Sequence, residues 1–264
     1  MSIREGLVAL HGSSITLLKP SKNSFERVKE VTLSDHLKAI DYGFKQYAVL
    51  GSGNLYLLSK EFKIIKSAFI GKYLYALSRP RGAIICNDKE ITYISKDVER
   101  YWTVKLPCTG YPSAYDEPGI FGDSLLYAPH ENVVNIIDIS KGKVLNKVEL
   151  ESKVVATAVN DHYLAVGTYF NVFIYSIRRP RKPKLLRKFN TKKSLLALSF
   201  SNKGDLVFTE RSSSGKLIEV MSLEGEKKLE LVPKTKPFSR ASMYENLLVV
   251  PTAFEAEIYL CEGS

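Results

Sequence analysis

Lys193-Ser-Leu-Leu-Ala-Leu-Ser-Phe-Ser-Asn-Lys-Gly-Asp-Leu-Val-Phe-Thr-Glu210, then Ser213-Ser-Gly-Lys-Leu-Ile-Glu-Val-Met-Ser-Leu-Glu-Gly225 and Lys227-Lys-Leu-Glu-Leu-Val232, is the stretch on which the fold turns. Four short β-branched and aromatic phrases stand in it, divided by Asn-Lys-Gly-Asp, Ser-Ser-Ser-Gly and Glu-Gly-Glu. Runs of that kind bounded by turn residues are strands. Four of them in a unit of about 40 residues are the signature of a β-propeller blade.

The same phrasing extends in both directions. Towards the N-terminus it passes through Val154-Val-Ala-Thr-Ala-Val, Tyr163-Leu-Ala-Val-Gly, Val172-Phe-Ile-Tyr-Ser-Ile and Lys184-Leu-Leu-Arg-Lys-Phe, and then through comparable quartets from His36 to Leu150. The ends are shorter. Gly6-Leu-Val-Ala-Leu-His, Ser14-Ile-Thr-Leu-Leu and Glu26-Arg-Val-Lys-Glu-Val-Thr-Leu lack an innermost strand, and the last unit lacks an outermost one. The expectation is an all-β fold, a propeller of seven four-stranded blades in one domain over 1–264. Six or eight blades also fit. Residues Met1 to Glu5 are expected as the outer strand of the seventh blade.

Composition narrows the function classes. The chain is 45% apolar and 25% charged, as in ordinary globular proteins. No apolar run reaches the roughly 18 residues of a bilayer span, and the N-terminus lacks a signal-peptide pattern, so a cytoplasmic location is expected. Cys86, Cys108 and Cys261 are widely spaced, without a C-x-x-C pair, and are expected as buried packing residues. Gln46 is the only glutamine in a Lys/Glu-rich chain, a thermophile-like composition. The formal charge of +10 favours an anionic partner.

His36 with Ala39-Ile-Asp-Tyr, Leu50-Gly-Ser-Gly and Leu55-Tyr-Leu-Leu resembles a blade of the WD40-repeat family, and Leu196-Ala-Leu-Ser-Phe-Ser-Asn-Lys-Gly-Asp-Leu-Val resembles that family's inner strand and turn. The resemblance spans the chain but is degenerate. No third strand ends in Trp-Asp, and the one tryptophan, Trp102, falls in a fourth strand. The chain is therefore WD40-like, and the family's His–Ser/Thr–Trp–Asp hydrogen-bond network is not expected here. The resemblance implies a rigid platform for protein partners.

Little in the sequence points to catalysis. The histidines form no H-x-x-x-H pair, no G-x-S-x-G or P-loop glycine pattern occurs, and no cofactor or metal is expected. His11 and His130, in loops between second and third strands, with Asp88 and Arg211 from equivalent loops, are the candidates for a top-face ligand contact; closing turns is their plainer role. Tyr115-Asp-Glu-Pro-Gly-Ile-Phe-Gly-Asp123 reads as a turn in preference to a calcium loop, its spacing failing D-x-D-x-D-G. Ser212-Ser-Ser-Gly reads as a hairpin connection.

The strongest local signal is electrostatic. Nine of the sixteen residues from Arg178 to Lys193 are basic: Arg178, Arg179, Arg181, Lys182, Lys184, Arg187, Lys188, Lys192 and Lys193. Pro180 and Pro183 keep the start of this run out of regular pairing, so a stiff loop is expected between the third and fourth strands of the fifth blade. Lys19, Lys22, Lys60, Lys141, Lys143, Lys227 and Lys228 are expected on the same side. The leading expectation is a non-enzymatic scaffold or adaptor for a protein partner, an acidic one if the loop carries the contact. The runner-up is nucleic-acid binding through phosphate contacts of the same run. A third reading is an enzyme or metal site in the top-face channel.

Overall fold

Strands of two to nine residues joined by Gly-, Asn- and Ser-containing turns pair most readily with their sequence neighbours, and the chain folds as a succession of such meanders. A computed structural model describes residues 2–261 apart from 4–5, 22–23, 44, 98, 116–123, 192, 213–214, 235–239, 245–246 and 252–255. It divides into two compact units, Met1–Cys108 and Thr109–Ser264.

The first unit holds three antiparallel sheets, each running in chain order from its innermost strand. They are β1 (Ser2–Ile3), β2 (Gly6–His11), β3 (Ser14–Ser21) and β4 (Ser24–Thr32); β5 (Ala39–Gly43), β6 (Gln46–Leu50), β7 (Asn54–Ser59) and β8 (Ile64–Phe69); and β9 (Tyr75–Arg79), β10 (Gly82–Cys86), β11 (Ile91–Ser95) and β12 (Arg100–Val104). The second unit continues with β13 (Ser113–Tyr115), β14 (Leu125–His130), β15 (Val133–Asp138) and β16 (Lys143–Glu149); β17 (Val154–Val159), β18 (Tyr163–Thr168), β19 (Asn171–Ser176) and β20 (Lys184–Asn190); and β21 (Ser194–Phe200), β22 (Leu206–Ser212), β23 (Gly215–Met221) and β24 (Lys227–Leu231). A three-stranded sheet of β25 (Ser242–Tyr244), β26 (Leu247–Pro251) and β27 (Ala256–Leu260) ends it.

There are thus six four-stranded blades and a three-stranded seventh sheet, with no helix among the described residues. One expectation is corrected. Ser2 pairs with Leu7 and Ile3 with Gly6, so the N-terminal segment supplies the missing innermost strand of the first blade. A tight reversal to the next strand closes a far shorter loop than pairing with a strand more than 240 residues away, and chain entropy favours it.

The core lies between consecutive blades. In the second unit Tyr127, Val134 and Ile136 of one blade pack with Leu164, Val166, Phe173 and Tyr175 of the next. In the second to sixth blades the second and third strands are buried almost throughout, for example over Gln46–Leu50 and Gly82–Cys86, whereas the fourth are largely exposed. Buried polar groups stitch neighbouring inner strands. Thr157 donates to the Tyr111 carbonyl at 3.0 Å, Ser199 to the Ala241 carbonyl at 2.7 Å, and Gln46 through Nε2 to the carbonyls of Arg79 and Gly82 at 2.6 and 2.9 Å. Cys86 and Cys108 are buried and hydrogen-bonded to each other; burial first, and then that contact, push the Cys86 thiol well above its ordinary range. Cys261 is only partly buried.

Candidate functional site

The turns between third and fourth strands share one device. Where the WD40 pattern would end its third strand in Trp-Asp, this chain has Ser59, Ser95, Asp138, Ser176 and Ser222, whose side-chain oxygens accept hydrogen bonds from the turn that follows. Ser95 Oγ takes the amides of Asp97 and Glu99 at 3.1 and 3.0 Å, and Ser222 Oγ those of Glu224 and Glu226 at 3.1 and 3.2 Å. Asp138 Oδ1 takes Ser140 and Lys141. Short polar side chains favour such local bonds, which fix a tight turn without a large residue.

The fifth blade breaks this regularity by insertion. Three residues separate Ser59 from Lys63, Ser95 from Glu99, and Ser222 from Glu226, the amide of each serine donating to the carbonyl of the later residue. Seven residues, 177–183, separate Ser176 from its partner Lys184. The added chain is Arg-Arg-Pro-Arg-Lys-Pro bar its first residue, Ile177, which is buried.

The insertion is tethered on both flanks. Ile177 N donates to His162 O at 3.0 Å and Lys182 N to Arg179 O at 2.8 Å. From the fourth blade, the hydroxyl of fully buried Tyr127 donates to Pro180 O at 3.0 Å, and Asn146 Nδ2 donates to Arg181 O at 3.0 Å. Three of these bonds use the loop's carbonyls, and together they leave Arg178, Arg179 and Lys182 exposed. Two prolines and four hydrogen bonds limit the entropy the loop has left to lose on binding.

The basic run does not act as one element, because β20 begins at Lys184. Its seven residues span about 20 Å, which puts Lys193 at the opposite end of the sheet from Arg178; Lys192 lies outside the described residues. Arg187 Nη1 donates to the Glu224 carbonyl at 3.1 Å. Lys188 pairs with Glu151 at 3.7 Å and stands 5.2 Å over the Phe173 ring. Both are tied to neighbouring structure, and lysines on an outer strand also blunt the sheet edge against pairing.

Other expected contributions fall away for similar reasons. Lys227 pairs with Glu230, Lys228 with Asp205 at 2.8 Å, and Lys60 with Glu61 at 3.7 Å. Lys19 sits within β3 instead of a loop, and Lys22 lies outside the described residues. Lys141 and Lys143 do flank the site, on the turn and outer strand that also present Asn146. Among the described residues no carboxylate pairs with Arg178, Arg179, Lys182, Lys184, Lys141 or Lys143.

Three of the four top-face candidates stand in strands and the fourth in a turn. His11 and His130 close β2 and β14 instead of lying in loops, paired with Ser14 and Val133, and Arg211 lies within β22. Pairing extends further into these hairpins than the phrasing suggested. Asp88 is exposed in a turn closed by Asn87, whose Oδ1 accepts the amides of Lys89 and Glu90 at 2.9 Å each. Among the described residues no three His, Cys, Asp or Glu side chains come together as a metal site. Residues 116–123 of the carboxylate-bearing loop, and Ser213 and Ser214, lie outside the described residues; Ser212 and Gly215 pair across the hairpin between β22 and β23.

The WD40-like phrase of the second blade has its own polar anchor. Burial alone would raise the Asp35 carboxyl, but the backbone of Ser52, the Asn54 side chain at 3.0 Å and the Gly53 amide at 3.3 Å hold it down at about 2. A Cβ on Gly51 would stand 2.1 Å from Asp35 Oδ2, so the glycine of Leu50-Gly-Ser-Gly makes room for the carboxylate.

The WD40 β-propeller domain of Doa1 superposes with a TM-score of 0.72 at 10% identity, covering 97% of this chain and 89% of that one. The fold is a β-propeller, similar to that WD40 domain. Sqt1 of Saccharomyces cerevisiae gives a TM-score of 0.64 at 8% identity over 97% of this propeller and 95% of that chain. No protein-family profile and no curated protein matches the sequence. No helix of the propeller's described residues is long and apolar enough to cross a membrane. Sequence reasoning missed Tyr127, Asn146 and the serine caps. The recurring Leu58-Ser-Lys, Ile94-Ser-Lys and Met221-Ser-Leu at third-strand ends were the available signal for the caps.

Proposed function

We propose that the chain is a non-enzymatic interaction platform, one propeller domain over 1–264, that docks an anionic partner protein through the enlarged loop 177–183 of its fifth blade. The observation that carries this is the insertion: a three-residue turn grows to seven, almost every added residue is basic or proline, and the neighbouring blade braces it. In repeat folds, insertions into single repeats commonly mark the binding face. The side chains of Arg178, Arg179 and Lys182 make no hydrogen bond or ion pair among the described residues, in contrast to those of Arg187 and Lys188.

The direct test is binding of poly-glutamate at low and near-physiological salt. Replacing Arg178, Arg179 and Lys182 with Ala lowers affinity about tenfold, as expected for three surface charges, and leaves the unfolding midpoint almost unchanged. Absence of binding by the wild type at low salt would refute the reading. Arginine's forked donors also suit phosphate, which supports a second reading in which the partner is nucleic acid. Single-stranded RNA binding far more tightly than poly-glutamate of equal charge would put that reading first.

A further inference from the structure

The outer strands carry a second half of this surface. Each four-stranded blade has one extra residue in its fourth strand, and the bulges fall at equivalent places: Val28, Ile65, Tyr101, Leu145, Leu186 and Lys228. A bulge interrupts the two-residue alternation of side chains. In β20 the consecutive Leu185 and Leu186 are accordingly 49% and 48% exposed. Both follow directly on the cationic loop. On β16, whose Asn146 holds that loop, Val144 is exposed as well.

Exposed aliphatic side chains add nothing to a phosphate contact, whereas protein interfaces combine desolvated apolar anchors with a charged rim. Resting on the docking reading above, we infer that the partner presents a segment in which acidic residues alternate with apolar ones, its carboxylates on Arg178, Arg179 and Lys182 and its apolar side chains on Leu185, Leu186 and Val144. Apolar exposure alone does not define the site. Ile64 and Ile65 of the second blade are equally exposed, but they follow a three-residue turn whose Lys60 is paired with Glu61. Lys63 and Lys66 flank that isoleucine pair, but among the described residues only the fifth blade sets an exposed apolar pair directly after an enlarged turn in which Arg178, Arg179 and Lys182 lack a carboxylate partner, and charge complementarity therefore selects an acidic occupant.

The test uses the full chain and three probes of equal net charge: a peptide alternating Glu and Leu, a Glu peptide lacking Leu, and single-stranded RNA. The expected result is that the Glu–Leu peptide binds about tenfold more tightly than the Glu peptide, the gain available from covering two half-exposed leucines. L185S/L186S erases that advantage and leaves Glu-peptide affinity unchanged; V144S reduces it in part; I64S/I65S alters neither. Urea midpoints verify that each variant folds, and V144S alone decides the matter if the leucine pair does not tolerate change. Equal affinity for the two peptides, tightest binding of RNA, or loss of the advantage in I64S/I65S would overturn the inference while leaving anionic docking intact. Failure of all three probes would instead overturn the docking reading itself.

Discussion

Tyr127→Phe isolates the contribution of loop bracing without altering a single charge. The ring is fully buried and is retained, so no cavity forms; what disappears is the hydroxyl bond to Pro180 O at 3.0 Å. Pro180 is partly exposed and water can take its carbonyl, so the net loss falls near 1 kcal/mol, within the usual range of about 0.5–1.5 kcal/mol for one hydrogen bond. A change of that size shifts the ratio of open to braced loop about fivefold, which bounds the loss of affinity for an acidic peptide at about fivefold. Asn146→Ala removes the other lateral tether, and the double variant should exceed either single one. Titration calorimetry at several salt concentrations is the assay. Because the cations are intact, the salt dependence of binding stays that of the wild type, whereas Arg178→Ala flattens it. Unchanged affinity in the double variant, alongside a measurable drop in urea midpoint, would refute the view that the loop is held ready for its partner.

Gly82→Ala should be among the most damaging substitutions in the chain: φ is +154° and a Cβ would stand 1.9 Å from the Ile94 carbonyl oxygen, so we expect a loss of about 3 kcal/mol or more in urea unfolding, and a loss under 1 kcal/mol would contradict the geometry. Ser95→Ala strips the acceptor from two turn amides and should cost about 1–2 kcal/mol, measurable by the same method. Asp35 adds an acid-sensitive component. Its carboxyl is held at about 2 against an ordinary 3.8, so its stabilisation is complete above about pH 4 and is lost as pH falls through 2. The full difference corresponds to about 2.4 kcal/mol, and about half remains for a partly exposed group. Asp35→Asn should therefore be less stable than wild type by about 1 kcal/mol at pH 6 and equal to it near pH 2, and a gap that persists at pH 2 would rule out the carboxylate as its source.

Much of the fold was readable because a blade is a local object. The quartet Ser194–Phe200, Leu206–Ser212, Gly215–Met221 and Lys227–Leu231 follows the hydrophobic phrases and turn residues closely, since each strand pairs with its neighbour across a short turn. The partner of Ser2–Ile3 was not legible because two residues carry no periodicity, and only the pairing itself shows which strand they join. The basic run was legible as charge but not as geometry. Nothing in Arg178–Lys193 announces that Lys184 starts a strand, that Arg187 and Lys188 are engaged, or that Lys193 emerges at the far end.

The sequence by itself determined the repeating four-strand unit, the absence of a recognised catalytic pattern and the proline-stiffened concentration of charge in the fifth blade. These follow from periodicity, turn chemistry and composition, which act between residues close in the chain. The tertiary structure alone decided which charges remain available. Pairing of Lys228 with Asp205, bracing of Pro180 by Tyr127 across 53 residues of chain, and the half-exposure of Leu185 and Leu186 beside the loop arise when neighbouring blades pack. A charge or a leucine acquires its role from what stands against it, and in a propeller that is a strand of the next blade.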